Sequence, residues 1–157
     1  NIGAKYFLKN DWYAMLSADF LSNDEQKLKL RSTTRAGMGK YLVHSNRTYL
    51  TTGGGLAWNN EQYTTPDQSD KNSLEVFVGI GYNIFDFDDI SLNTNLVAYP
   101  SLTEGGRLRS DFSFDIKYDL PLDFFIMAGF TYNYDNKPVE GASRVDYVIQ
   151  TTFGWKL

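Results

Sequence analysis

Along residues 107–120 the sequence RLRSDFSFDIKYDL separates into two interleaved series. Leu108, Phe112, Phe114, Ile116, Tyr118 and Leu120 fall on one parity. Arg107, Arg109, Asp111, Asp115, Lys117 and Asp119 fall on the other. Side chains on a strand alternate between two faces, so a period of two predicts a strand with one oily and one charged surface. The same alternation sets Leu74, Val76, Val78, Ile80, Tyr82 and Ile84 against Glu75, Phe77, Gly79, Gly81 and Asn83. Lys27, Lys29, Arg31, Arg35, Gly37 and Gly39 share a face of an earlier segment. The last segment sets Val145, Tyr147, Ile149, Phe153, Trp155 and Leu157 against Asp146, Gln150, Gly154 and Lys156.

Breaks rich in Asn, Asp, Gly, Pro and Ser predict strands near 2–9, 12–21, 27–43, 48–63, 73–85, 90–103, 107–120, 124–135 and 145–157. No stretch holds a 3.6-residue period. Short connections between consecutive strands predict an all-β, antiparallel up-and-down meander.

Three architectures use such a pattern. A soluble sandwich buries the oily faces between two sheets, and a lipocalin-like (calycin) barrel turns them inward around a ligand. A transmembrane barrel turns them outward into lipid and encloses the charges. Gly3, Gly37, Gly39, Gly79, Gly81, Gly129 and Gly154 lie on the charged parity of their strands. Glycine within a strand costs roughly 0.5–1 kcal/mol relative to Ala. A narrow interior crowded by Arg, Lys and Tyr gives a reason to accept that cost, whereas a solvated face gives none. Turning every Phe, Tyr, Trp, Leu and Ile inward would overfill a barrel of about eight strands. The sandwich escapes that objection and stays open as a soluble binding module.

The connections add a second asymmetry. ND, HSNR, DFDD and PLD alternate with the longer SNDEQ, TTPDQSDKN and NKPVEGASR, although EGG near residue 105 reads as tight. Short turns on one end and longer loops on the other fit a bacterial outer-membrane barrel. The expected architecture is therefore a transmembrane β-barrel, with residues 1–157 as a single domain.

Composition narrows the chemistry. The chain has 157 residues, fitting one domain, and no cysteine, so neither disulfides nor thiolate sites arise. A net charge of -4 with mixed signs gives no footprint for nucleic acid. Aromatic residues make up 16%, which favours strands. No apolar run is long enough for a membrane-spanning helix.

His44 is the only histidine and is read as a solvated turn residue, leaving a His-based hydrolase or a multi-His metal site nothing to use. Asp111, Asp115 and Asp119 share a face, but Arg109 and Lys117 lie on that face beside them, which favours ion pairing over a cation or acid–base site. Asp86–Asp89 reads as a solvated turn. Gly53–Gly55 has no following helix or Lys and is no phosphate loop. Lys29, Arg31, Arg35, Glu61, Glu75, Arg109, Asp111, Asp115, Lys117 and Asp146 are the expected charged lining of an enclosed interior. A balanced set of signs suggests a lumen closed by ion pairs, since a selective channel more often shows one sign. Trp12, Trp58 and Trp155 fall near strand ends, as an aromatic girdle at a membrane interface would, and core packing is the alternative. No catalytic residue, cofactor or metal is expected.

YPSLTEGGRLRSD, YDLPLDFF, FTYNYDNKP and the closing DYVIQTTFGWKL resemble the bacterial family of salt-induced outer-membrane proteins, whose shared domain has unknown function. The resemblance runs from about Trp12 to Leu157. It implies an outer-membrane β-barrel, with outer-membrane lipid, the barrel-assembly machinery and other envelope proteins as partners. It transfers no activity or substrate. The final strand is similar to the terminal signal read by that machinery, with Trp155 and Leu157 at its apolar positions, although it ends in Leu and carries Thr152 where Gly is common. A structural or transport-related role leads. A membrane lipid-modifying enzyme is the weakest alternative.

Strand-like sequence begins at once from Asn1, with no initiator Met or signal-peptide n-region, as in a processed or trimmed product. Nine strands place the two termini on opposite sides, whereas single-chain bacterial barrels normally have an even number. An odd number of upstream strands, most simply one, is expected to complete the barrel.

Overall fold

The computed structural model describes residues 2–23, 28–63, 70–138 and 141–155. They form β1 (Ile2–Phe7), β2 (Trp12–Asn23), β3 (Leu28–His44), β4 (Thr48–Tyr63), β5 (Lys71–Phe87), β6 (Ile90–Pro100), β7 (Leu108–Asp119), β8 (Phe124–Asp135) and β9 (Val145–Trp155). Each pairs with its neighbour in sequence, giving one nine-stranded antiparallel sheet in the order β1 to β9. A single sheet replaces the two layers that a sandwich requires. Among the described residues β1 pairs with β2 alone and β9 with β8 alone, so the sheet is open where a closed barrel was expected. Lys27, Lys156 and Leu157, and most of the SNDEQ and TTPDQSDKN connections, lie outside the described residues.

Local chemistry sets the turns. Asn10 and Asp11, Asp88 and Asp89, and Leu122 and Asp123 all have positive φ, between 48° and 66°. Paired positive-φ residues define the hairpin turn whose twist matches that of the flanking strands, and after glycine Asn and Asp tolerate it best. Leu122 adopts it without that tolerance and stands exposed. The Ser45 hydroxyl organises a fourth turn by accepting the Arg47 and Thr48 amides. All four turns lie at one end of the sheet.

At the other end β6 stops at Pro100, short of the expected residue 103, and β7 starts at Leu108. The residues between are an ordered loop. Ser101 bridges to Glu75, the Leu102 amide donates to the Leu74 carbonyl, and the Ser101 amide to the Arg107 carbonyl. The EGG stretch makes the tight turn expected of it, the Arg107 amide donating to the Glu104 carbonyl at 3.0 Å with Gly106 at a φ of 72°, but that turn sits within a longer flap held against β5.

Burial follows the parity of the strands, with polar residues inside. The buried set is mainly Arg31, Thr33, Asn59, Glu61, Ser73, Glu75, Asn83, Arg107, Arg109 and Asp135, with Tyr13, Ala57, Phe77, Val97 and Tyr99. Leu16, Met38, Leu56, Val78, Ile80 and Leu96 are exposed on the opposite face of β2 to β6. Strands three places apart in a flat sheet are separated by roughly 14 Å. Yet Arg35 of β3 donates to the Tyr99 hydroxyl of β6 at 2.7 Å, and Arg109 of β7 to Asn59 of β4 at 3.1 Å. The sheet curls around its polar face.

Glycines allow that curl. Gly39 faces Tyr13 across β2 and β3, and a Cβ there would run into the Tyr13 ring and come within 2.8 Å of the Thr52 carbonyl oxygen. Gly39→Ala is expected to lower stability by about 1–3 kcal/mol through overpacking. In a Tyr13→Ala background part of that penalty should vanish, as a double-mutant cycle of denaturation midpoints would reveal. Full additivity would mean that ring contact at Gly39 does not matter.

Candidate functional site

The polar face gathers its charged groups near the end opposite the four turns. Strict alternation puts Arg31, Thr33 and Arg35 of β3 on the same side of the sheet as Asn59 and Glu61 of β4. Ser73 and Glu75 of β5, Tyr99 of β6, Arg109 of β7 and Asp135 of β8 join them, and the flap adds Glu104 and Arg107.

Glu61, 1% exposed, is the outer hub. It lies opposite Arg31 in register and accepts from that guanidinium at 2.8 Å and from Arg107 at 3.1 Å. Arg107 continues to Asp135 at 2.7 Å and to Glu104 at 3.2 Å. Burial pulls the Arg107 pKa down, but Asp135, Glu61 and Glu104 more than offset it, so the shift is upward and the group stays charged.

Deeper in, the Arg109 guanidinium forks onto Glu75 at 2.5 and 3.0 Å, and Glu75 is 0% exposed. Its remaining reach goes to Asn59 Oδ1, which also accepts the Thr33 hydroxyl at 2.6 Å. Arg35 forms an ion pair with Asp19 and donates to Tyr99. The Tyr99 ring faces both guanidinium groups, Arg109 at 5.0 Å and Arg35 at 5.9 Å. Fork-shaped pairing and ring stacking are what arginine offers and lysine does not. Each ion has partners, which makes enclosure of so many charges tolerable.

Of the charged residues expected to line the interior, Arg31, Arg35, Glu61, Glu75 and Arg109 come together in this network. Asp111 is half-buried and lines a small cavity of about 80 Å³ with Asp19, Arg31, Arg35, Tyr99 and Arg109. The others are placed differently. Lys29 is exposed. Asp115 accepts a long bond of 3.4 Å from Asn93. Lys117 pairs with Asp119 at 2.9 Å and sits 5.0 Å over the Phe125 ring. Asp146 is half-buried on β9, opposite Asn133.

Arg109 takes Glu75, two strands away, as its partner, out of a set of expected interior carboxylates that also held Asp111 and Asp115 on its own strand face. Residues two apart on a strand are nearly 7 Å from one another, so a partner reached across the curl competes well. Arg107, Asn59, Tyr99 and Asp135 were missed as members, although each shares the inward parity of its neighbours. Glu104 carried no such signal.

His44 ends β3, exposed, 3.9 Å from an Asp11 carboxylate oxygen and stacked on Tyr41. Asp88 and Asp89 form an exposed hairpin turn, and Gly53–Gly55 lie inside β4. Trp12, Trp58 and Trp155 are all exposed, at 42%, 62% and 58%, which sets aside core packing for them. Trp12 and Trp155 stand near the four-turn end, and Trp58 well along β4 toward the flap end.

Comparison with known proteins gives a family and no function. The model of the family described as "Protein of unknown function, DUF481" matches residues 1–157, and the chain belongs to that family. No curated protein and no solved structure matches it.

Arg109→Ala would strand the Glu75 carboxylate in a dry site, and a loss of about 3–5 kcal/mol is expected. Lys29→Ala, at an exposed position, should stay within about 0.5 kcal/mol of the parent. Denaturant unfolding of the two variants checks this, and equal midpoints would show that the network adds no stability.

Proposed function

We propose that this DUF481 protein is a β-barrel of the bacterial outer membrane, with a structural or transport-related role and a lumen closed toward its flap end by the ion network. The observation that carries the reading is the inverted burial. Arg31, Glu61, Glu75, Arg107 and Arg109 are buried while Leu16, Met38, Leu56, Val78, Ile80 and Leu96 are exposed. A soluble monomer rarely shows a continuous apolar band of this kind, whereas lipid covers one at no cost.

Further support comes from the ends of the sheet. Trp12 and Trp155 near one end and Trp58 toward the other would form the two aromatic belts of a membrane-spanning barrel. Short turns would then face the periplasm and the longer connections the exterior. Outer-membrane lipid and the barrel-assembly machinery are the partners this reading requires. The network mixes both signs within hydrogen-bonding distance, which suits a plug better than the single-sign ring of a selective pore. We assign it no catalytic role.

Leu56→Arg separates lipid from water as the surroundings of the exposed face. Leu56 lies near the middle of β4 and is 51% exposed. In a bilayer the change should cost on the order of 2–4 kcal/mol and impair insertion into vesicles. In water an added surface charge would be harmless or improve solubility. A parent protein that is folded and monodisperse in plain buffer, with a Leu56→Arg variant equally so, would overturn the proposal.

A further inference from the structure

The ion network occupies only part of the polar face. Toward the four-turn end the inward positions of β3, β4 and β5 change to glycine, and the space they leave is a cavity of about 540 Å³. Ligand cavities commonly fall between about 300 and 1,000 Å³, and most are apolar with a few convergent polar groups. This one is of that size, and its lining mixes apolar with polar surface. Tyr13, Met15, Phe77 and Val97 supply apolar surface to its lining. The charged residues of the lining are Lys5 and Arg35, with no carboxylate among them.

Two polar atoms at this lining have no partner. Ser17 Oγ and Arg35 Nε are both buried without a hydrogen bond among the described residues. They are not scattered. Ser17 and Arg35 lie directly opposite one another in the β2–β3 register, and both line the cavity. Both terminal nitrogens of Arg35 already donate, to Tyr99 and to Asp19, and Nε is the guanidinium nitrogen left without a partner. A buried donor left unsatisfied carries a desolvation penalty, so two of them side by side favour an acceptor that meets both. Lys5, whose ammonium stands 4.8 Å over the Tyr13 ring, adds a second positive charge to the same lining.

We propose that this cavity binds a small monocarboxylate with a compact apolar body. Its carboxylate would accept from Ser17 Oγ–H and Arg35 Nε–H once the two side chains, whose donor atoms have almost no exposed surface, turn toward it, and its body would lie against Tyr13, Phe77 and Val97. The inference rests on the cavity and the facing donors, and holds whether the outer face meets lipid or water.

Benzoate is the probe, titrated calorimetrically into the full chain in whichever medium keeps its β-structure, with benzamide as the neutral control. Benzoate should saturate at one per chain, and benzamide should bind far more weakly. Ser17→Ala removes one donor and keeps the charge, and it should weaken benzoate by about tenfold. Val97→Phe fills the cavity and leaves both donors in place, and it should abolish binding. Ser17→Ala decides the matter alone if the larger side chain prevents folding. Absence of saturation, equal binding of benzamide, or an unchanged affinity in Ser17→Ala overturns the proposal. A chain that folds without detergent and still binds benzoate would remove the membrane reading and leave this one standing.

Discussion

A guanidinium taken out of water must find carboxylates, and the rest of this molecule is arranged around that requirement. Arg31, Arg107 and Arg109 are buried, and each buried ion left without a partner would cost about 3–5 kcal/mol, a large share of a small domain's whole margin of stability. Their partners do not come from adjacent residues. Glu75 is two strands from Arg109, and Glu61 is three strands from the start of β7, next to Arg107. A flat sheet could not bring these groups together. Curvature, the inward run of glycines and the flap that delivers Arg107 all answer the same electrostatic demand.

Much of this was legible in the sequence because alternation is a strong signal. Nine strands and their order could be read from the period of two and the turn residues, and the inward faces of β5 and β7 appear as their parities stated. Two things were not legible. The 101–107 flap was legible only at its Glu104–Arg107 turn, because the rest of its fold depends on contacts with Leu74 and Glu75 of β5, which no local pattern records. Partner identity was hidden for a related reason. Parity says that Arg109 and Glu75 share a side, but which carboxylate meets which guanidinium depends on how tightly the sheet curls.

The same curl explains why Lys29 and Lys117 stand apart from the network despite their parity. Lys29 lies near the start of β3 and is itself exposed. Lys117 is near the end of β7, where Asp119 and the Phe125 ring are its neighbours. Among the described residues Lys117 is served by these local contacts alone. The arginines, with several donors in a rigid plane, can hold two or three elements together.

The flap has a kinetic implication. Arg31 and Glu61 are 30 residues apart, Arg107 and Glu61 46, and Arg35 and Tyr99 64. The first pair can meet as soon as one hairpin exists, whereas Arg107 needs β4 from one side and Asp135 from β8 on the other. Contacts between distant parts of a chain form late, because long loops must close before anything rewards them. The growing sheet would thus carry a wet, half-satisfied interior until its eighth strand arrives. Drying of that interior is then the committing step, with Arg107 as its latch.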